Sequence, residues 1–328
     1  MTCPIGTDVA HAAGLLARGG LVAFATETVY GLGADALDAR AVARIFEAKG
    51  RPHFDPLIVH LAELAWLERL VSSVPENARR LIDRFWPGPL TLVLPKTGLV
   101  PDLVTAGLPT VGVRMPAHPL ALDLLRQAGT PVAAPSANLF GQVSPTTAQH
   151  VADQLGSRID YILDGGTCFV GLESTVLDLS GPFPALLRPG GLNREQIEEA
   201  IGPVTSAEAV ADEASPQRAP GMLSAHYATR TPLVLARIGD RLPIASRIGL
   251  LAFVPEPSLE QFAAAEILSP RGNLAEAAAN LFAAMRRLDG ESLDLIVARS
   301  VPNIGLGQAI NDRLRRAACL RAADSPNA

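Results

Sequence analysis

An interruption constrains this chain more than any single motif. Through the first two hundred residues, apolar runs of strand length alternate with amphipathic stretches of helical period. From about Gly202 to Arg230 the periodicity fails, in a stretch rich in Pro, Ala, Ser and Gly, and a shorter alternating pattern then begins. Strands interleaved with helices read as an α/β sheet, here of mixed direction because a cluster of strands closes the first pattern. An irregular stretch of that length separates folding units and is functional or disordered. The expected division is therefore a domain over 1–202, a linker over 203–230 and a small α/β domain over 231–328, which suits a chain of 328 residues.

Local signals place the elements. Asp8 caps a helix to Arg18, stopped by Gly19 and Gly20, and Leu21–Ala25 reads as a buried strand. Asp38 caps a second helix, with Val42, Ile45, Phe46 and Lys49 on one face, ended by Gly50. Strands follow at Leu57–Leu61, Thr91–Leu94, Val111–Arg114 and Val132–Ala134, then at Tyr161–Leu163, Thr175–Leu179 and Ala185–Arg188. Helices are expected at Glu63–Val71, Glu76–Phe85, Leu120–Ala128, Thr146–Gln154 and Arg194–Ala200. Beyond the linker, Leu233–Ala236, Gly249–Phe253 and Leu293–Ala298 read as strands of a small doubly wound domain. Asn273 and Glu276 form a capping-box-like start to a helix reaching Leu288, and Gly307 leads into a last helix at Ala309–Ala318.

Composition excludes several classes. Hydrophobic residues make up 48% and charged residues 19%, so the chain is globular. A net charge of −5 without a basic run argues against tight nucleic-acid binding by this chain alone. Cys3, Cys168 and Cys319 are far apart and form no metal-ligand spacing, which points to a reducing compartment. With no signal-peptide pattern and no apolar run of membrane-spanning length, a cytoplasmic, soluble protein is expected. Only two of the 28 basic residues are lysines, Lys49 and Lys96, a bias that draws attention to Lys49.

Six segments carry candidate chemistry. Thr26-Glu27-Thr28-Val29-Tyr30-Gly31-Leu32-Gly33 follows a buried strand and contains GxGxxA, but five residues separate strand from glycines and the helix begins only after Asp38. That context is wrong for a dinucleotide fingerprint, and Leu172 and Glu173 stand where a phosphate loop needs Lys and Ser or Thr. Lys49-Gly50-Arg51-Pro52 could complement a helix dipole or project two cations at a phosphate or carboxylate. Thr110 and Arg114 share one face of a strand; Pro135-Ser136-Ala137-Asn138 and Ser144-Pro145-Thr146 put small hydroxylic residues at a strand end, where α/β sheets bind ligands. Leu172-Glu173-Ser174-Thr175-Val176 and Leu187-Arg188-Pro189-Gly190-Gly191 complete the set. Taken singly, each reads equally as a turn, a cap or surface charge.

Taken together, TETVYGLGADA, KGRPxxDPLIVH, WPGPLTLVL, VGVRMP, PSAN, GLESTV and LLRPGG, in that order, resemble the YrdC-type threonylcarbamoyl-AMP synthase family. Pro220-Gly221-Met222, His226-Tyr227-Ala228 and the later GLGQAINDRL extend the resemblance to its long two-domain form and to nearly the whole chain. The resemblance implies a twisted mixed sheet with flanking helices, plus a smaller Rossmann-like domain joined by a linker lid. It implies that L-threonine, bicarbonate (or CO2) and ATP are joined into threonylcarbamoyl-AMP with release of pyrophosphate, the first step of tRNA threonylcarbamoyladenosine formation. Thr28, His60, Arg114, Ser174 and the backbone at Ala134 would hold threonine. Lys49, Arg51, Asp55, Thr110, Ser136, Asn138, Ser144 and Arg188 would hold ATP, Lys49 and Arg51 as the catalytic cations, with Tyr227 closing over the nucleotide. Mg²⁺ would arrive through ATP oxygens, with a contact at Asp55 an open alternative. A monomer or weak dimer would pass its product to a tRNA threonylcarbamoyl transferase complex.

Two positions and one three-residue stretch depart from the family's pattern. Ala25 replaces a proline, Asp55 an asparagine, and Leu223-Ser224-Ala225 stand where the linker usually carries basic residues. A carboxylate at 55 would repel polyphosphate unless neutralised by Arg51 or Mg²⁺. His60 could also be a plain polar strand residue, and Gly305-Leu306-Gly307 an anion-binding helix start or a simple turn. Rival readings are a carbamoyl-transfer module of the hydrogenase-maturation kind, whose acylphosphatase and zinc-finger segments are missing here, and a non-catalytic RNA-binding module.

Overall fold

The computed structural model describes residues 3–206, 226–241, 245–257 and 259–318. The larger unit runs β1 (Ile5–Gly6), α1 (Val9–Ala17), β2 (Val22–Phe24), β3 (Gly31–Asp35), α2 (Ala39–Lys49), β4 (Ile58–His60), α3 (Leu64–Leu70), α4 (Glu76–Phe85), β5 (Leu90–Pro95), α5 (Asp102–Thr105), β6 (Thr110–Arg114), α6 (Pro119–Ala128), β7 (Val132–Ala133), α7 (Ala148–Leu155), β8 (Tyr161–Leu163), β9 (Thr175–Asp178), β10 (Ala185–Arg188), α8 (Arg194–Ile201) and β11 (Thr205–Ser206). The smaller runs β12 (Leu233–Leu235), β13 (Ile248–Ala252), a 3₁₀ turn (Leu259–Gln261), β14 (Ala264–Ile267), α9 (Leu274–Gly290), β15 (Leu295–Ala298) and α10 (Leu306–Ala318).

The larger sheet has eleven strands in the order β1-β8-β2-β3-β7-β4-β6-β5-β9-β10-β11, mixing parallel and antiparallel pairs as expected. Its two faces are covered by separate apolar clusters. Ala12, Leu16 and Leu124 of α1 and α6 pack with Phe24 and Leu163 on one, and Val42, Ile45 and Phe46 of α2 pack with Leu32 and Val59 on the other. The sheet continues past the expected boundary at 202, because β11 pairs in parallel with β10.

The glycine segment departs from expectation in an informative way. Gly31–Asp35 is itself a strand, antiparallel to β2 in the register Val22↔Gly33. A Cβ on Gly33 would lie 2.8 Å from both Phe24 and Val132, so this glycine serves close packing within the sheet rather than a phosphate cradle. The helix expected from Thr146 starts at Ala148, because Thr147 is its cap and accepts from the His150 amide.

The smaller sheet is parallel, in the order β12-β15-β13-β14. Its cover is less even than a doubly wound pattern predicts. Leu251, Ile296 and Ala298 pack under both α9 and α10, whereas the alternate residues Leu250 and Ala252 meet only Phe262 and neighbours near the 3₁₀ turn. The cap of α9 also differs: Asn273 accepts from the amides of Ala275 and Glu276, but the Glu276 carboxylate accepts from the Ser269 hydroxyl, which in turn accepts the Asn273 amide.

The two units share a core. Val29, Val143 and Leu172 of the larger unit, with Tyr227, belong to the same apolar cluster as α9 and α10. Gly171 makes the approach possible: a Cβ there would lie 2.5 Å from the Ala278 carbonyl and the Ala279 Cα, at a backbone φ of +72°. Among the described residues no helix is long and apolar enough to cross a membrane. Residues 207–225 of the linker, including Pro220-Gly221-Met222 and Leu223-Ser224-Ala225, lie outside the described residues, as does Cys319.

Candidate active site

The β4–β6 pairing builds one end of the site. Its register sets His60 beside Arg114 at the carboxyl ends of adjacent parallel strands, where α/β sheets present ligand groups. The Arg114 Nη2 donates to the Glu27 carboxylate at 2.6 Å and Nε to the Gly88 carbonyl at 3.3 Å. Both partners of this pair are buried, and the second Glu27 oxygen receives no hydrogen bond among the described residues. Burial, reinforced by the Arg114 charge, drops the His60 pKa to about 3, so the imidazole is neutral, with an unsatisfied Nδ1. Thr28 and Ser174 complete this end, their hydroxyls 2.8 Å and 2.7 Å from those of Thr26 and Thr91.

The other end is cationic. The Arg51 Nε donates to the Asp55 carbonyl and Nη2 to the Pro56 carbonyl at 2.8 Å, which anchors the guanidinium to the loop beyond α2. Arg188 donates to the Ser174 carbonyl through Nε and Nη2 and so ties the end of β10 to the start of β9. Lys49, Arg51, Arg114, Arg188 and Arg313 are all buried here, against Glu27, Asp55 and Glu173. Cations outnumber carboxylates, and in a dry site such a field is complementary to a polyanion.

Nine of the residues singled out in the sequence line one cavity of about 50 Å³: Thr28, Arg51, His60, Arg114, Ala134, Ser136, Ser174, Arg188 and Tyr227. That volume admits only a few waters, and His226 and Tyr227 form part of its wall. The other five lie elsewhere. Lys49 does not line the cavity: it is only 2% exposed, with Nζ donating to the carbonyls of Ser136 (2.6 Å) and Asn138, and burial lowers its pKa well below the ordinary lysine value. Asn138 spends its amide N–H groups on the Leu139 and Gln142 carbonyls, and its Oδ1 has no hydrogen-bond partner among the described residues. The Ser144 hydroxyl donates to Glu173 at 2.6 Å. Thr110 sits at the far end of β6 from Arg114 and lines a separate hollow with Thr91 and Thr105.

Asp55 is ion-paired to Arg51 at 3.0 Å and fully buried. Burial raises its pKa, against the nearby charges of Arg51, Lys49 and Arg188. Asp55 thus stands among cationic charges, with Arg51 its ion-pair partner, a different setting from the oxygen-rich cage of a divalent ion. Among the described residues no group of three His, Cys, Asp or Glu side chains could hold a metal. The Cys168 thiol, pushed up to about 12 by burial, stays protonated and is no nucleophile.

Sequence reasoning passed over Glu173 and His226, which line the cavity, and Arg313, which lies behind Tyr227. All three stand in quoted motifs, GLESTV, HYA and GLGQAINDRL, but an acid at a polyanion site gives no local reason to be chosen. Arg313 donates from α10 to Glu173 across 140 residues of sequence.

Comparison with known proteins bears on the chain as a whole. A family described as telomere recombination matches residues 14–190, and a threonylcarbamoyl-AMP synthase C-terminal domain matches residues 192–319. The chain is 46% identical to the threonylcarbamoyl-AMP synthase of Bacillus subtilis, covering 95% of this chain and 93% of that one. It is 47% identical to that of Pyrococcus abyssi, covering 94% of each. The crystal structure of P. abyssi Sua5 complexed with L-threonine superposes with a TM-score of 0.89, at 42% identity over 98% of both chains.

Proposed function

The chain belongs to the threonylcarbamoyl-AMP synthase family, and on that premise we propose that it joins L-threonine, bicarbonate and ATP into L-threonylcarbamoyl-AMP, releasing pyrophosphate. It is thus a nucleotidyltransferase. One observation carries this reading. The His60–Arg114 pair suited to an amino acid and the Arg51–Arg188 pair suited to phosphates open into a single cavity under Tyr227.

The chemistry follows from those groups. A threonine carboxylate meets the Arg114 guanidinium, whose orientation Glu27 fixes. The neutral His60 ring adds a hydrogen-bonding atom without adding charge. Bicarbonate takes up a proton and loses water to give CO2, the neutral threonine amine adds to its carbon and gives up a proton to leave a carbamate, and a carbamate oxygen attacks the α-phosphorus in line. The bond between the α-phosphorus and the bridging oxygen breaks, and pyrophosphate leaves. Arg51 and Arg188 stabilise charge building on the phosphates; alignment and fixed cations do the rest, with no protein nucleophile. Magnesium comes with ATP as part of the substrate. The product is a mixed anhydride, and a tRNA threonylcarbamoyl transferase would consume it.

The test is pyrophosphate release from MgATP with threonine and bicarbonate omitted in turn. Release requiring both, and lost in Arg51→Ala, supports the reading. Release requiring neither would make the protein a nucleotide hydrolase. No release from folded protein, joined to a tRNA gel shift at physiological salt, would favour an RNA-binding module.

A further inference from the structure

We infer that Arg313, a residue of the second domain, is a positioning residue of the active site, acting through Tyr227 and Glu173 to set the nucleotide end of the cavity. The inference rests on the nucleotide reading proposed above and extends it to the domain whose purpose that reading leaves open.

Arg313 is the largest fully buried side chain in the described structure, with no exposed surface. It reaches out of α10 and makes three contacts. Its Nε donates to the Glu173 carboxylate at 2.9 Å, its Nη1 donates to Asp312 at 2.7 Å, and its guanidinium carbon lies 5.2 Å from the centre of the Tyr227 ring. The other Glu173 oxygen accepts the Ser144 hydroxyl, so one arginine bears on both the acid and the ring that line the cavity. Its Nη2 receives no acceptor among the described residues.

Tyr227 needs such a support. Its backbone sits at φ +69°, in the left-handed region where a side chain costs roughly 1–2 kcal/mol. Both units hold it: the Ala228 amide donates to the Gly141 carbonyl of the larger unit, while from the second domain Phe282 of α9 stacks on its ring at 5.5 Å and the Arg316 carbonyl accepts the His226 amide. Arg286 of α9 donates to the carbonyls of Val143 and Ser144 and so steadies the segment whose Ser144 hydroxyl meets Glu173.

A plain structural seam is the competing account, and its energetics are poor. A buried ion pair contributes little net stability, since desolvation offsets its attraction, and apolar residues of equal volume do as well or better. Fully burying a guanidinium whose Nη2 finds no acceptor among the described residues, against a ring in a strained conformation, makes sense where geometry is what it secures.

The experiment uses the full-length chain. Arg313→Lys keeps the charge and loses the fork. Arg313→Met combined with Glu173→Gln removes both charges, so no carboxylate is left buried alone if the single variant folds poorly. For each, KM values for ATP and threonine, kcat, the melting temperature and amide exchange at 226–228 are measured. Expected are an ATP KM raised at least about tenfold, a threonine KM within about twofold, and faster exchange at 226–228, whatever the melting temperature does. A folded variant with unchanged ATP KM and unchanged exchange overturns the inference and leaves Arg313 a structural seam. Exchange is read without turnover, so it decides the matter even if the wild-type chain releases no pyrophosphate, the outcome that would count against the function alone.

Discussion

Arg51 and Asp55 form a buried ion pair at 3.0 Å in which the carboxylate accepts no hydrogen bond among the described residues, while the guanidinium donates through Nε to the Asp55 carbonyl and through Nη2 to the Pro56 carbonyl. The pair therefore neutralises charge without consuming the cation's geometry. Since the Asp55 carboxylate stands beside the cations expected to meet phosphate, Asp55→Asn should lower the ATP KM about threefold or more and raise activity. The same change should lower the melting temperature, since it strips Arg51 of its buried countercharge. Steady-state pyrophosphate release against ATP concentration checks it, and a loss of activity would sink the repulsion account.

Lys49 holds the backbone of Ser136, a residue of the cavity wall. Lys49→Met keeps the volume but leaves the carbonyls of Ser136 and Asn138 without their shared donor. A destabilisation of about 2–4 kcal/mol is expected, together with a loss of nucleotide affinity through the displaced Ser136. Denaturant unfolding and ATP titration of the same sample check both. Lost activity with unchanged stability and affinity would instead place Lys49 directly on the reacting phosphates.

Glu27 orients Arg114 and does not line the cavity. Glu27→Gln should raise the threonine KM roughly 10-fold and leave the ATP KM within twofold, and Arg114→Lys should do more, because the bidentate fork is lost. Kinetics with each substrate varied separately tests the division. Equal losses for both substrates would mean that the two ends of the cavity are not separable.

Acid should destabilise the fold well above the carboxylate range. His60 and His226 are both held at about 3 by burial, below the ordinary 6.5, so they stay neutral when folded. The unfolded chain takes up protons as pH falls through 6.5 and the folded chain does not. Their contribution is complete above that pH and declines below it, by about 1.4 kcal/mol per pH unit for each histidine. At Glu173 burial works the other way, but Arg313, Arg188 and the Ser144 hydroxyl outweigh it and hold the carboxyl at about 2, which adds a second loss from 4.5 downward. Melting curves between pH 8 and 5 should show the first decline, and His60→Gln should make it shallower.

Local chemistry in the sequence determined a great deal here. The helix at Ala39–Lys49 follows from Asp38, the 3.6-residue spacing of Val42, Ile45, Phe46 and Lys49, and the left-handed Gly50 that ends it. Those signals act over one or two turns and need nothing from the rest of the chain. The motif order likewise brought Thr28, His60, Arg114, Ser174, Arg51 and Arg188 to notice, and they do share a cavity. Only the tertiary structure made Gly31–Asp35 a strand, since glycines acquire that role from the Phe24 and Val132 packed against them. Only the tertiary structure turned Lys49 inward to two carbonyls, sent Thr110 to a different hollow, and joined Arg313 to Glu173 across 140 residues. Periodicity and caps report which face of an element is apolar. They carry no record of which distant side chain meets a buried charge, and that pairing is set by the balance of desolvation and attraction once the two domains close on one another.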